Sequence, residues 1–156
     1  MNNLDFLKGF LSESGHYCVF AVKGNVRIQK FYDTIEDTER ATRKFIADGM
    51  NTYFALSTFK ETTKDAGRKG ANAHELKSFF LDLDCGPTYE YPTKEAAVSA
   101  VRDFCKKLSL PKPLMINSGR GVHVYWPLTE AVSAEQWLVE AGRLKRCCSE
   151  NGLLAD

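Results

Sequence analysis

Residues 78–86, Ser-Phe-Phe-Leu-Asp-Leu-Asp-Cys-Gly, constrain the fold most, because their character alternates with the two-residue period of a β-strand. One face of this strand is apolar, formed by Phe79, Leu81 and Leu83. The opposite face carries Phe80 and two acidic side chains, Asp82 and Asp84. Aspartate is disfavoured in strands, so this pair predicts that solvent or a cation separates the two carboxylates.

The pair Asp82 and Asp84 is a candidate site for divalent cations. Their Cα atoms are predicted to lie roughly 7 Å apart, and the side chains can converge on two ions about 3.5–4 Å apart. Ligands that are all oxygen favour Mg²⁺ or Mn²⁺ over zinc. A two-residue acidic pattern is common by chance, so alone it fits an ordinary strand with a wet polar face better.

A second motif, residues 117–126 (Asn-Ser-Gly-Arg-Gly-Val-His-Val-Tyr-Trp), predicts a glycine-punctuated turn between two strands. Gly119 and Gly121 permit positive φ and allow a ligand close to the backbone, and amides of such a turn can bind an anion. The side chains able to donate to a phosphate are Ser118, Arg120 and His123. The alternative interpretation is a tight hairpin with a structural histidine.

The remaining pattern predicts an α+β fold with the order αββαβ followed by βαββα. The helix from residue 34 to about residue 48 is predicted to be capped by Thr34, to bury Ala41, Phe45 and Ile46 and to end at Gly49. The other predicted helices cover residues 3–11, 93–108, which begins with a cap at Thr93, and 133–151. The predicted strands cover residues 17–22, 26–32, 52–58, 76–84, 114–117 and 122–126.

Residues 60–77 are predicted to form a long loop with five Lys or Arg against three acids. Gly67 and Gly70 bracket Arg68 and Lys69, which are candidates for contacts with phosphate or with a nucleic-acid template. Loops of this length are usually functional or mobile. A solvated insertion with ordinary surface charge explains the same composition.

Composition excludes several classes of protein. The 156 residues carry 21 Lys and Arg against 20 Asp and Glu, so bulk charge predicts no partner. Five cysteines without a C-x-x-C pair fit neither a zinc finger nor a disulfide framework. No apolar stretch is long enough to span a bilayer, and the N-terminus lacks a signal-peptide pattern. These features predict a cytoplasmic protein.

The two motifs, in this order and with a helix between them, resemble those of the archaeo-eukaryotic primase superfamily. The resemblance extends over residues 54–156 and is strongest to primase-polymerase domains of phages, plasmids and mobile elements. It implies an N-terminal α/β module, residues 1–60, packed on an RRM-like (ferredoxin-like) palm module, residues 61–156, that lacks its last elements. It also implies that Asp82 and Asp84 are the metal ligands of the D-x-D motif, and that the second motif contacts the incoming nucleotide.

The activity implied by this resemblance is template-dependent nucleotidyl transfer with two Mg²⁺ or Mn²⁺ ions. The implied catalytic residues are Asp82, Asp84 and His123, and the implied nucleotide-binding residues are Ser118, Gly119, Arg120, Gly121 and His123. The implied partners are a DNA template, nucleoside triphosphates and a helicase module, fused or in trans, and no membrane is involved. The implied location is the cytoplasm of a bacterium or of a phage-infected cell.

The family has a third metal-binding carboxylate on a later strand. Asp156 resembles the residue just before it, so the resemblance predicts a natural or recombinant fragment of a larger replication protein, inactive alone. Two alternatives stay open. One is a non-catalytic module that binds nucleotides or single-stranded DNA. The other is a rolling-circle nuclease, for which His123 and Tyr125 provide one of two required histidines and the nucleophile.

Overall fold

The computed structural model of the protein describes residues 3–156. Its helices are α1 (Asn3–Phe10), α2 (Ile35–Ala47), α3 (Lys94–Lys107) and α4 (Ala134–Glu150), with a 3₁₀ turn at Gly70–Asn72. Its strands are β1 (Tyr17–Lys23), β2 (Val26–Tyr32), β3 (Asn51–Phe54), β4 (Ser57–Phe59), β5 (Ala73–Asp84), β6 (Leu114–Asn117) and β7 (Gly121–Ser133). This mixed helix and strand composition confirms the predicted α+β class.

Contacts divide the chain into two compact units. The first contains the described residues through Lys77 together with Leu128–Trp137, and the second contains Ser78–Pro127 and Leu138–Asp156. The sequence predicts a change of module near residue 60. The contacts instead group residues 60–77 with the first unit, where β4 pairs antiparallel with the start of β5.

The first unit contains a three-stranded antiparallel sheet with the order β2-β1-β3. Val19 and Ala21 on one face of β1 are completely buried and pack with Phe45 of α2. The predicted cap of α2 is confirmed, because the Thr34 side chain accepts a hydrogen bond from the Asp37 amide. One face of this sheet is therefore covered by α2.

In the second unit β7 lies between β5 and β6. Leu81 and Leu83 of β5 are buried in a core with Val101 and Phe104 of α3. The core also includes Val122 and Val124 of β7 and Cys148 of α4. Thr93 caps α3 by accepting from the Ala96 amide, as predicted. The apolar face of the predicted strand 76–84 thus packs against helices, which leaves its acidic face on the other side.

Several predicted elements need correction. Strand β5 begins at Ala73, not 76, and a 3₁₀ turn precedes it, so the loop predicted for residues 60–77 is shorter. The strand predicted for residues 52–58 is two strands, β3 and β4, and β7 continues to Ser133. Ile46 is 55% exposed instead of buried, because the buried face of α2 follows Ile35, Thr38 and Phe45.

No helix within residues 3–156 is long and apolar enough to cross a membrane.

Candidate active site

The acidic face of β5 agrees with the predicted alternation. Leu81 and Leu83 are buried, whereas the Asp82 side chain is 46% exposed and Asp84 is exposed. Two carboxylates therefore lie on the same accessible face of one strand, two positions apart. This face is accessible to ions and to ligands dissolved in water.

The glycine turn of the second motif lies directly against the end of β5. The Cys85 amide donates to the Arg120 carbonyl oxygen at 3.0 Å. A Cβ atom on Gly121 would lie 2.1 Å from the Leu83 carbonyl oxygen, a distance that no side chain can tolerate. Gly121 is therefore required for the close approach of β7 to β5. It does not have the positive φ expected from sequence, whereas Gly119 does, at 94°.

His123 lies beside the first carboxylate of the pair. Its Nε2 atom is 3.5 Å from Oδ1 of Asp82, and its Nδ1 atom is 3.3 Å from the Tyr125 hydroxyl. Burial, and secondarily the charge of Asp82, raises the pKa of Tyr125, so this hydroxyl stays protonated at neutral pH. A neutral His123 that accepts the Tyr125 proton at Nδ1 carries its own proton on Nε2, on the side of Asp82.

The amides of the turn already have internal partners. The Gly119 amide donates to Asn117 Oδ1 at 2.9 Å, and the Gly121 amide donates to Ser118 Oγ at 3.1 Å. Asn117 Oδ1 also accepts a 2.8 Å hydrogen bond from Nζ of Lys94, the first residue of α3. An anion at this turn would therefore bind to the cationic side chains of Lys94 and Arg120, and not to these two amides.

Lys94 and Asn117 are site residues that the sequence analysis missed. Asn117 stands immediately before the Ser118 turn, so its position in the motif was an available signal. Lys94 has no such signal, because 23 positions separate it from Asn117 and only the packing of α3 brings the two together. Together they place a positive charge at the turn.

The C-terminal residue Asp156 lies next to Asp82. The Asp82 amide donates to the Asp156 carbonyl oxygen at 2.8 Å, and the Asp156 amide donates to the Asp82 carbonyl oxygen at 3.0 Å. Such a reciprocal exchange defines a directly opposed antiparallel pair, whose two side chains point to the same face. Asp156 is therefore on the face that carries Asp82. The sequence analysis did not predict this position, because it took Asp156 for the residue just before the third carboxylate.

The donor set on this face suits a hard divalent cation. Asp82 and Asp84 offer carboxylate oxygens at an exposed position, and oxygen is the ligand that Mg²⁺ and Mn²⁺ prefer. Within residues 3–156 no group of three His, Cys, Asp or Glu side chains is arranged closely enough to hold one ion. The two predicted ligands fit the cation chemically.

Arg68 and Lys69, the predicted phosphate or template contacts, belong to the first unit. The Arg68 guanidinium lies 4.5 Å from the centre of the Phe20 ring, and Lys69 Nζ donates to the Asp65 carbonyl oxygen at 2.6 Å. The remaining predicted site residues all belong to the second unit: Asp82, Asp84, Ser118, Gly119, Arg120, Gly121 and His123.

Comparison with known proteins supports the fold. No protein-family model and no curated protein matches the sequence. The chain is similar in structure to the AEP domain (PP-N190) of the primase-polymerase (PrimPol) of cyanophage S-2L, with a TM-score of 0.59 and 17% identity. The match covers 86% of this chain and 65% of that domain. At this identity the likeness shows a shared fold, that of a primase-polymerase AEP domain.

Proposed function

We propose that this chain is part of a primase-polymerase of a phage or another mobile element, which joins nucleotides on a DNA template. The observation that supports this proposal most is that the two motifs lie next to each other in the second unit. The strand with Asp82 and Asp84 is hydrogen-bonded to the glycine turn through Cys85 and Arg120, and His123 faces Asp82. The fold shared with the phage primase-polymerase domain supports the same assignment.

The chemistry requires a negatively charged site for cations beside a positively charged site for the triphosphate. Asp82 and Asp84 would hold Mg²⁺ or Mn²⁺, which when bound neutralise the developing charge of the reacting phosphates. Arg120 and Lys94 at the turn would bind the oxygens of the triphosphate and orient it. His123 would donate its Nε2 proton to a phosphate oxygen, and Tyr125 at Nδ1 would hold the ring in that tautomer.

We also propose Asp156 as a third carboxylate of this site. Its backbone pairing with Asp82 supports this assignment, since it orders a short edge segment next to β5. The resulting strand order, C-terminal segment, β5, β7 and β6, agrees with an RRM-like (ferredoxin-like) palm. Asp156 would then complete the metal site that the resemblance places on a later strand.

The test is incorporation of labelled dNTP or NTP by the larger protein that contains this chain, on a primed and an unprimed DNA template in the presence of Mg²⁺ or Mn²⁺. The double variant Asp82→Asn plus Asp84→Asn should lose at least about 100-fold in rate. Asp103→Asn, an exposed acid on α3, is the matched control and should retain the rate. Metal-dependent incorporation that survives the double substitution would refute the assignment.

A non-catalytic module that binds nucleotides or single-stranded DNA is the second candidate. One observation favours it, namely that no three metal-ligating side chains within residues 3–156 converge. It predicts binding of triphosphate that salt weakens, without incorporation under any metal condition. A rolling-circle nuclease is not supported, because Tyr125 is only 7% exposed and His123 is the sole histidine among the described residues of the second unit.

A further inference from the structure

The three-stranded sheet of the first unit has a second face that α2 does not cover. Phe20 of β1 is paired in register with Gln29 of β2 and with Tyr53 of β3. Directly paired residues share a face, so these three side chains lie opposite the buried Val19 and Ala21. Two aromatic side chains, Phe20 and Tyr53, therefore lie next to each other on the face that α2 does not cover.

Three planar groups lie close together on this face, namely the rings of Phe20 and Tyr53 and the guanidinium of Arg68. The rings of Phe20 and Tyr53 have centroids 6.3 Å apart and an interplanar angle of 37°, and Tyr53 is 55% exposed. The guanidinium of Arg68 lies over the Phe20 ring at 4.5 Å. An exposed tyrosine and a stacked arginine both offer flat surfaces on which another planar group can stack. We call Phe20, Tyr53 and Arg68 the aromatic platform.

The elements around the aromatic platform are rich in positive charge. On the platform face β2 carries Arg27, which is paired with Val22, whereas Lys30 is paired with Val19 on the face that α2 covers. Residues 60–70 contribute four Lys or Arg against two acids. Lys30 and Lys64 line an open cleft of about 530 Å³ together with Gln29, Phe31 and Thr62. The chain as a whole has a net charge of only +1, so this positive charge is concentrated locally.

We propose that the aromatic platform binds single-stranded nucleic acid. Bases would stack on Tyr53 and on the Phe20–Arg68 pair, and the phosphates would contact the surrounding cations. A duplex hides the faces of its bases, so a platform of this kind selects unpaired strands. The inference rests on the proposed function only in naming the bound strand as the template of the polymerase.

Fluorescence anisotropy of a labelled oligothymidylate of about 16 nucleotides tests the platform. Tyr53→Ala should weaken binding about tenfold, whereas Tyr53→Phe should retain it, because stacking does not need the hydroxyl. Tyr89→Ala is the matched control, since Tyr89 is 52% exposed but belongs to the second unit. A duplex of the same length should bind more weakly than the single strand.

Salt dependence separates the stacking interaction from the ionic interaction. Arg68→Ala should reduce the slope of log affinity against log salt by about 0.7 for each phosphate that the variant no longer neutralises. Tyr53→Ala should leave the slope unchanged, because it removes no charge. Arg40→Ala, on the exposed surface of α2, is the control for removal of a positive charge in the same unit.

The two proposals fail in different ways. Unchanged affinity of Tyr53→Ala, or equal affinity of wild-type protein for single strand and duplex, would overturn the platform. Loss of incorporation in the Asp82 and Asp84 variant, with single-strand binding retained, supports both proposals. Binding that depends on Tyr53 in a protein that never incorporates nucleotides would support the platform and refute the proposed polymerase.

Discussion

The two units have sheets of similar construction with opposite surface chemistry. In each, one face packs against helices, through Val19 and Ala21 in the first unit and through Leu81 and Leu83 in the second. The face of the first sheet opposite α2 carries the aromatic side chains Phe20 and Tyr53, with Arg27 on the same face and Arg68 over the Phe20 ring. The corresponding face of β5 carries the carboxylates Asp82 and Asp84.

If both proposals hold, the same arrangement of strands serves two different ligands. Carboxylates on a strand face attract cations and repel phosphates, whereas aromatic rings surrounded by cations attract bases and phosphates. On the faces that pack against helices, apolar side chains must be buried, and this requirement fixes the register of each strand. The side chains on the opposite faces do not take part in this helix packing, and our two proposals infer the chemical class of each ligand from them.

The largest effect in this comparison is expected at the hairpin glycines. Gly121→Ala places a Cβ atom against the Leu83 carbonyl oxygen, so it should cost more than about 3 kcal/mol of unfolding free energy. Gly24→Ala, in the hairpin between β1 and β2, meets nothing within 4 Å and should cost only about 1 kcal/mol for its positive φ. Urea denaturation measures both, and similar losses would show that β7 does not approach β5 as described.

A smaller effect, on affinity for a triphosphate, is expected when a negative charge is added to one or the other of these two hairpins. Asn117→Asp keeps the acceptor for Lys94 and Gly119 but adds a negative charge at the turn. Stability should be retained, while affinity for a nucleoside triphosphate should fall about five- to tenfold. Asn25→Asp adds the same charge to the hairpin of the first unit and should leave that affinity unchanged. Calorimetric titration with a non-hydrolysable triphosphate checks both, and equal affinities for the two variants would remove the turn from the binding site.

The smallest effect concerns two buried thiols, one in each unit. Burial raises the pKa of Cys18 and of Cys148 to about 11 in the folded protein. An unfolded thiol ionises near pH 8.5, so stability is fully present below that pH and is lost as pH rises toward 11. Ionisation of each thiol in the unfolded chain should lower the free energy of unfolding by on the order of 0.5 kcal/mol between pH 8 and pH 9. Cys18→Ala and Cys148→Ala should flatten this decline equally in urea denaturation, and an unaltered decline in either would contradict its burial.

Sequence patterns predicted the structure well where burial has a clear period or where a helix has a recognisable cap. Alternation in β5 separates Leu81 and Leu83 from the two aspartates, and the threonine caps at Thr34 and Thr93 mark the starts of α2 and α3. The order of elements follows from the same signals. These predictions succeed because local geometry and side-chain size determine them.

Other features depend on contacts between distant residues and left no local signal. Lys94 approaches Asn117 through the packing of α3, and Asp156 pairs with Asp82 across 74 positions of the chain. Glycine is used at Gly121 to admit the β5 backbone, although the sequence suggests positive φ. The aromatic platform could not be predicted from sequence, because Phe20, Tyr53 and Arg68 come from three separate segments of the chain.

The central claim, that the Asp82 and Asp84 face holds divalent cations beside His123, is tested most directly with Mn²⁺ and NMR. Paramagnetic Mn²⁺ should selectively broaden the imidazole signals of His123, while those of His16 and His74 in the first unit remain sharp. The double variant Asp82→Asn plus Asp84→Asn should abolish that selective broadening. Equal broadening of all three histidines, or selective broadening of His123 that persists in the variant, would contradict the account.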